Sequence, residues 1–318
     1  MDKVVFEPVV QTYLDSIAGR RSLFQMSLSE ARKALEARQI PHIEVPGTTR
    51  QHLRNPQTEA PLTLFRPSPA HGPLPVVLYL HGGGWVAGSH RTHDRIAREV
   101  AHGTRAAVAF VDYSLAPESR YPVALEETYA AARWLVKHGA GLGLDPARMA
   151  VAGDSAGGNI AAALTLATKA DRDIRLAGQL LICPVTGTDF DTASYRQFAD
   201  GPFLRREAMR WYWDQYAPDP AQRAEITAAP LRATTGHLAG LPPALVITAE
   251  ADVLRDEGEE YAAKLHRAGV PTTATRYRGV VHDFTIRNAL RPARATQAAI
   301  DQATTFLSNV LGTCAPHA

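Results

Sequence analysis

Gly153-Asp154-Ser155-Ala156-Gly157 sets a serine between two glycines, in a G-x-S-x-G pattern that runs straight out of the apolar stretch Met149–Ala152. A serine hydroxyl is a weak nucleophile at neutral pH and must be activated by a base. A sharp turn of this kind lifts the hydroxyl clear of a strand end, and glycine on either side lets neighbouring chain come close. A helix starting just after the serine brings backbone N–H groups and its positive end to where an oxyanion would form. The chemistry that fits is acyl transfer. Phosphate binding fits less well, because no Lys-Ser or Lys-Thr follows the glycines and Gly153–Asn159 does not match G-x-G-x-x-G.

A second glycine run, His81-Gly82-Gly83-Gly84-Trp85, directly follows the apolar stretch Val76–Leu80. Successive glycines allow a backbone path that points amides into a cavity. The N–H groups of Gly83 and Gly84, with that of Ala156, are therefore the expected oxyanion donors. His81 precedes the nucleophile and is read as a brace for this loop. The base and its acid should come after the serine, in the order Ser, Asp or Glu, His. His282 follows the stretch Thr272–Tyr277, and Asp252 follows Ala244–Ile247. In these roles His282 takes the proton of Ser155 and Asp252 holds the ring. Glu250 and Asp256 are near enough in sequence to be the acid instead, and Asp283 adjoins the histidine.

These groups must be carried by elements that end together. Short apolar runs at Val76–Leu80, Ala106–Val111, Met149–Ala152, Leu180–Ile182, Ala244–Ile247 and Thr272–Tyr277 alternate with helix-like stretches near 122–138, 156–169, 257–268 and 293–311. That rhythm predicts an α/β fold, a mostly parallel central sheet with helices on both faces. Residues 1–45 read as amphipathic helices, with Ser27 or Ser29 as a cap, and Pro41 and Pro46 mark a connection. Residues 188–232 break the rhythm with Phe198, Phe203, Trp211, Tyr212, Trp213 and Tyr216. Together the two segments are expected to form a helical cap over a catalytic core of residues 46–187 and 233–318. Trp85, Asp154, Phe203, Trp211, Trp213 and Asp283 are expected to line the pocket.

The composition suits a globular enzyme. The 318 residues are 45% hydrophobic and 21% charged, with 34 basic against 32 acidic side chains and a net charge of +2. That balance argues against a nucleic-acid partner, which would need a concentrated basic face. No stretch reaches the roughly 18 apolar residues of a membrane span. Glu7, Pro8, Gln11 and Asp15 interrupt what would be the apolar centre of a signal peptide, so a cytoplasmic, soluble protein is expected. Cys183 lies in an apolar run and Cys314 in the tail, and no disulfide is expected between them.

Taken together, the motifs resemble the hormone-sensitive-lipase-like, or family IV, bacterial esterases of the α/β-hydrolase superfamily. The two glycine motifs carry the resemblance, with Tyr113-Ser114-Leu115-Ala116-Pro117-Glu118 and Asp252-Val253-Leu254-Arg255-Asp256-Glu257-Gly258. It implies an α/β-hydrolase fold and a serine carboxylesterase acting on short to medium acyl esters, without cofactor or metal. It also selects Asp252 over Glu250 and Asp256 as the acid. Dimers through the last strand and C-terminal helix are common in the family. Three residues depart from its pattern: Ser114 stands for arginine, Val253 for proline and Asp283 for glycine. The same triad would serve an amidase, lactonase or acyltransferase. Plant gibberellin receptors, which resemble this family, have lost the histidine that here is His282, so a binding protein on the same fold is the rival reading.

Overall fold

A computed structural model describes residues 4–37, 39, 41–53 and 60–313; Cys314 lies outside them. Its strands are β1 (Thr48–Leu53), β2 (Leu62–Pro67), β3 (Leu74–Leu80), β4 (Ala107–Val111), β5 (Leu144–Asp154), β6 (Leu176–Ile182), β7 (Ala244–Ala251) and β8 (Thr272–Val281). They form one eight-stranded sheet in the order β1-β2-β4-β3-β5-β6-β7-β8. The β1–β2 and β2–β4 pairs are antiparallel and all others parallel. β3 and β4 are buried along their whole length, which is why they read as unbroken apolar runs. β1 is an edge strand whose central residues face solvent, so it carries no apolar alternation and the sequence does not announce it.

The helices are α1 (Pro8–Ile17), α2 (Leu28–Ala37), α3 (Asp94–Thr104), α4 (Val123–His138), α5 (Ala156–Thr168), α6 (Ala193–Gln197), α7 (Arg206–Tyr216), α8 (Pro220–Arg223), α9 (Thr235–Leu238), α10 (Arg255–Arg267) and α11 (Arg294–Leu311). α3 and α11 pack together on the sheet, while α4 and α5 pair with each other and α10 lies on β7 and β8. α3 escapes the pattern reading because it buries a charge. Arg95 is buried and donates to Asn288 Oδ1 at 2.8 Å, to Thr285 O at 2.6 Å and to Ile286 O at 3.0 Å. It thereby pins the loop that follows β8.

The N-terminal segment and the 188–232 connection meet, with the Tyr13 and Phe203 rings 6.2 Å apart, and both line a cavity with Ser155 and His282. Ser27 begins α2 with a reciprocal cap: its N–H donates to Glu30 Oε2 at 2.9 Å, and its Oγ accepts from the Glu30 N–H at 3.3 Å. The 3₁₀ turn Leu23–Gln25 packs against α7. Asn159 on α5 donates to Val185 O at 3.0 Å and Ala228 O at 2.8 Å, which ties the core to the connection. No helix among the described residues is long and apolar enough to cross a membrane.

Candidate active site

The turn between β5 and α5 forces Ser155 to φ 53°, ψ −119°, a conformation that L-residues rarely adopt. Its neighbours are crowded. A Cβ on Gly157 would lie 2.1 Å from Leu80 O, so only glycine lets α5 start this close to β3. The Ser155 N–H donates to Ile182 O at 2.8 Å, and its carbonyl accepts from the Val185 N–H at 3.1 Å. These bonds to the end of β6 and the segment after it hold the strained turn.

Three of the sequence-predicted residues come together at this edge. His282 Nε2 lies 3.0 Å from Ser155 Oγ, and His282 Nδ1 lies 2.7 Å from Asp252 Oδ2. All three residues are buried. The other oxygen of Asp252 accepts the Leu254 N–H at 3.0 Å, fixing the carboxylate plane. The rival acids are engaged elsewhere. Glu250 Oε2 accepts the Gly279 N–H at 2.8 Å, and Asp256 accepts the Ser194 N–H at 2.6 Å and Arg255 Nε at 2.8 Å.

The glycine loop sits opposite. Gly83 and Gly84 adopt φ 117° and 63°. At Gly84 a Cβ would also meet the Tyr212 ring at 2.2 Å, so the position is closed to any side chain. Among the described residues, no acceptor lies against the N–H of Gly83 or Gly84, and both residues line the same cavity as Ser155 and His282. The Ala156 N–H, at the first turn of α5, completes the donor set expected from the sequence. His81 braces the loop: its ring stacks on Tyr113 at 4.2 Å, its Nδ1 donates to Gly82 O at 2.8 Å, and its carbonyl accepts from Tyr113 OH at 2.7 Å. Burial, with help from His93, pushes the His81 imidazole down to about 4, so it is neutral and a donor only through Nδ1.

The pocket differs from the sequence expectation. A cavity of about 340 Å³ opens at Ser155, and Phe203 and Asp283 are in its wall. Trp85, Trp211, Trp213 and Asp154 are not. Trp85 stacks on Tyr216 at 4.2 Å with an interplanar angle of 4° and lies 5.0 Å from Trp213, so both indoles are core that fastens α7 to the glycine loop. Trp211 projects one step round the helix, where it is half-buried against the core and meets Tyr212 edge-on at 5.2 Å. Asp154 points under the loop, accepting Tyr79 OH at 2.9 Å and the Gly82 N–H at 3.0 Å. It positions the glycine loop and does not reach substrate space. The cavity also includes Met209, Tyr212 and Arg287, which the sequence reading missed. Met209 and Tyr212 share one face of α7, so a helical phase count from 209 through 212 to 216 would have found them. Arg32 of α2 is also missed, yet it donates to Val86 O at 2.9 Å and Ala116 O at 3.2 Å and pairs with Glu118 at 2.7 Å.

The departures from the family pattern have local reasons. Ser114 donates through N–H and Oγ to Glu127, both at 2.7 Å. Val253 is packed in the core. Asp283 has φ 61°, which explains why glycine suits this position and why aspartate, tolerant of the left-handed region, can replace it. Its carboxylate lies 3.4 Å from His282 Nε2 and pairs with Arg287 at 2.7 Å. Although burial disfavours its charge, Arg287 and His282 hold the Asp283 carboxyl below the usual range.

Burial alone would lower the basicity of His282, but Asp252 and Asp283 together with the Asp252 hydrogen bond raise it well above the ordinary value. Raising this pKa favours the imidazolium, and an imidazolium cannot take a proton from Ser155. If His282 is the base, activity should be lost as pH falls through the raised value. Asp283→Asn removes one of the carboxylates responsible, so the acid limb of kcat/KM should move to lower pH. A pH profile of the variant with its limb unmoved or moved upward would refute this role for Asp283.

Cys183, Asp252 and His282 are the group of metal-ligand side chains that the described residues bring within 4.8 Å of one another. Two of the three are already hydrogen-bonded in line with Ser155, and burial pushes the Cys183 thiol up to about 12, which keeps it protonated and a poor metal ligand.

The chain is similar along most of its length to known hydrolases. The family described as "alpha/beta hydrolase fold" matches residues 77–286. Carboxylesterase NlhH of Mycobacterium tuberculosis is 40% identical over 240 residues, 75% of either chain. The ethyl acetate hydrolase of Pseudomonas putida is 37% identical over 70% of this chain and 71% of its own. The crystal structure of a thermostable esterase from Pseudomonas putida ECU1011 superposes with a TM-score of 0.93 at 43% identity, covering 98% of this chain and 99% of the other.

Proposed function

The chain belongs to the hormone-sensitive-lipase-like (family IV) esterases of the α/β-hydrolase superfamily and is a carboxylic-ester hydrolase, and we propose that it works through an acyl-enzyme on Ser155. The observation that carries this reading is the hydrogen-bonded line Ser155–His282–Asp252, opening into a cavity beside the N–H groups of Gly83 and Gly84, which have no acceptor among the described residues.

In the first half, Ser155 Oγ attacks the ester carbonyl while His282 Nε2 takes its proton. The oxyanion of the tetrahedral intermediate accepts from Gly83, Gly84 and Ala156. The C–O bond to the alcohol then breaks, and His282 returns the proton to the departing oxygen. In the second half water attacks the acyl-serine, giving its proton to His282; the intermediate collapses to the free acid, and the proton goes back to Ser155. Asp252 keeps Nδ1 protonated and offsets the imidazolium charge throughout.

The size of the cavity, about 340 Å³, supports short to medium acyl groups, and so does the similarity to the ethyl acetate hydrolase of Pseudomonas putida. Initial rates on 4-nitrophenyl acetate, butyrate, hexanoate, octanoate and palmitate test this directly. We expect kcat/KM to peak at butyrate or hexanoate and to fall at least about tenfold by palmitate, because the longer chain must lie outside the cavity. A palmitate optimum would refute the assignment.

A further inference from the structure

We infer that the ester turned over at this site carries a carboxylate on its alcohol half, held by Arg287; the inference rests on the roles given above to Ser155 and His282. The Arg287 side chain is buried in the cavity wall. Its Nη2 donates to Asp283 Oδ2 at 2.7 Å. Its Nε and Nη1 are buried and have no hydrogen-bond partner among the described residues. Empty donors on a buried cation carry a desolvation cost that an acceptor would relieve. The guanidinium also lies 5.4 Å over the Phe203 ring, which restrains its plane.

Position fixes which half of the substrate it meets. His282 Nε2 must protonate the departing alcohol, so that alcohol lies against His282. Asp283 is the next group at 3.4 Å from Nε2, and Arg287 is paired to Asp283. An alcohol extending from Nε2 past Asp283 would therefore reach Arg287. The rest of the lining agrees. Arg20, Arg21, Arg205 and Arg287 face the cavity against the single carboxylate of Asp283, although the whole chain is only +2. Arg20, Arg21 and Arg205 are exposed, where clustered cations raise the local concentration of an anion without having to bind it tightly. A guanidinium also suits a planar carboxylate better than a spherical anion.

The test compares kcat/KM for two near-isosteric pairs, 4-acetoxybenzoate with 4-acetoxybenzamide and acetoxyacetate with acetoxyacetamide. We expect the wild type to favour the anion of at least one pair about tenfold or more, the range of a charge-assisted hydrogen bond, with the preference shrinking as salt rises. In Arg287→Gln the preference should fall to about unity. Because that change strands Asp283, the double variant Arg287→Gln/Asp283→Asn, which leaves no buried charge unpaired, should lose the preference equally. Equal rates for anion and amide in wild type, or a preference that survives both variants, would overturn the inference. Turnover of 4-nitrophenyl acetate by wild type, and its loss in Ser155→Ala, reports separately on the ester-hydrolase mechanism.

Discussion

Ser155→Ala is expected to lower kcat on 4-nitrophenyl acetate about 10⁶-fold, the scale seen when a triad nucleophile is removed. Alanine keeps the backbone bonds of the elbow, in which the Ser155 N–H and carbonyl, and not its hydroxyl, meet Ile182 and Val185. Both residues have a Cβ, so both carry the same strain at φ 53°. The variant should therefore fold, with a thermal midpoint close to that of the wild type. What it loses is the atom 3.0 Å from His282 Nε2. Some catalysis over water should survive from the oxyanion donors. Binding of a non-hydrolysed ester analogue should survive as well, and isothermal titration can separate that from the lost chemistry. A variant that keeps more than a hundredth of wild-type kcat would show that another group is the nucleophile.

Asp252→Asn should cost about 10⁴ in kcat with KM changed little. Asp252 Oδ1 accepts the Leu254 N–H at 3.0 Å, so the amide of asparagine would orient its oxygen there and turn its NH₂ toward His282 Nδ1. That reverses the bond now seen at 2.7 Å. Nδ1 must then accept and Nε2 carries the proton, the tautomer that cannot receive one from Ser155. Removing the carboxylate also lowers the His282 pKa that Asp252 helps to raise. The defect should therefore not be cured by working at a pH where the ring is neutral, because the error is in the tautomer. Steady-state rates between pH 6 and 9 test this, and full recovery on the alkaline side would contradict it.

How far these residues could be read from sequence depended on the range of the interactions that place them. The elbow and the glycine loop are local: an apolar run, a glycine pattern and a helix-like stretch lie within about twenty residues, and backbone sterics do the rest. The triad acid was less determined. Residue chemistry alone left Asp252, Glu250 and Asp256 open, and the choice rests on strand register and side-chain direction. Glu250 reaches the Gly279 N–H while Asp252 faces His282. The pocket was read least well, because its wall comes from four distant parts of the chain and the phase of one helix. Aromatic content drew attention to Trp211 and Trp213, yet α7 turns Met209 and Tyr212 to the cavity and sends Trp213 into the core beside Trp85. Arg287 gave no signal, since an arginine five positions after a histidine is an ordinary surface residue unless the chain folds it inward. β1 and α3 were missed for related reasons. One is an exposed edge strand, and the other buries Arg95 against the β8 loop.

Covalent capture tests the central claim most directly. The protein would be incubated with diethyl 4-nitrophenyl phosphate, which transfers its phosphoryl group to an activated serine, then digested and mapped by mass spectrometry. One equivalent should attach to the peptide containing Ser155, in step with loss of esterase activity, and His282→Ala should take up the label far more slowly. Label on a different residue, or full inactivation with Ser155 unmodified, would contradict the account.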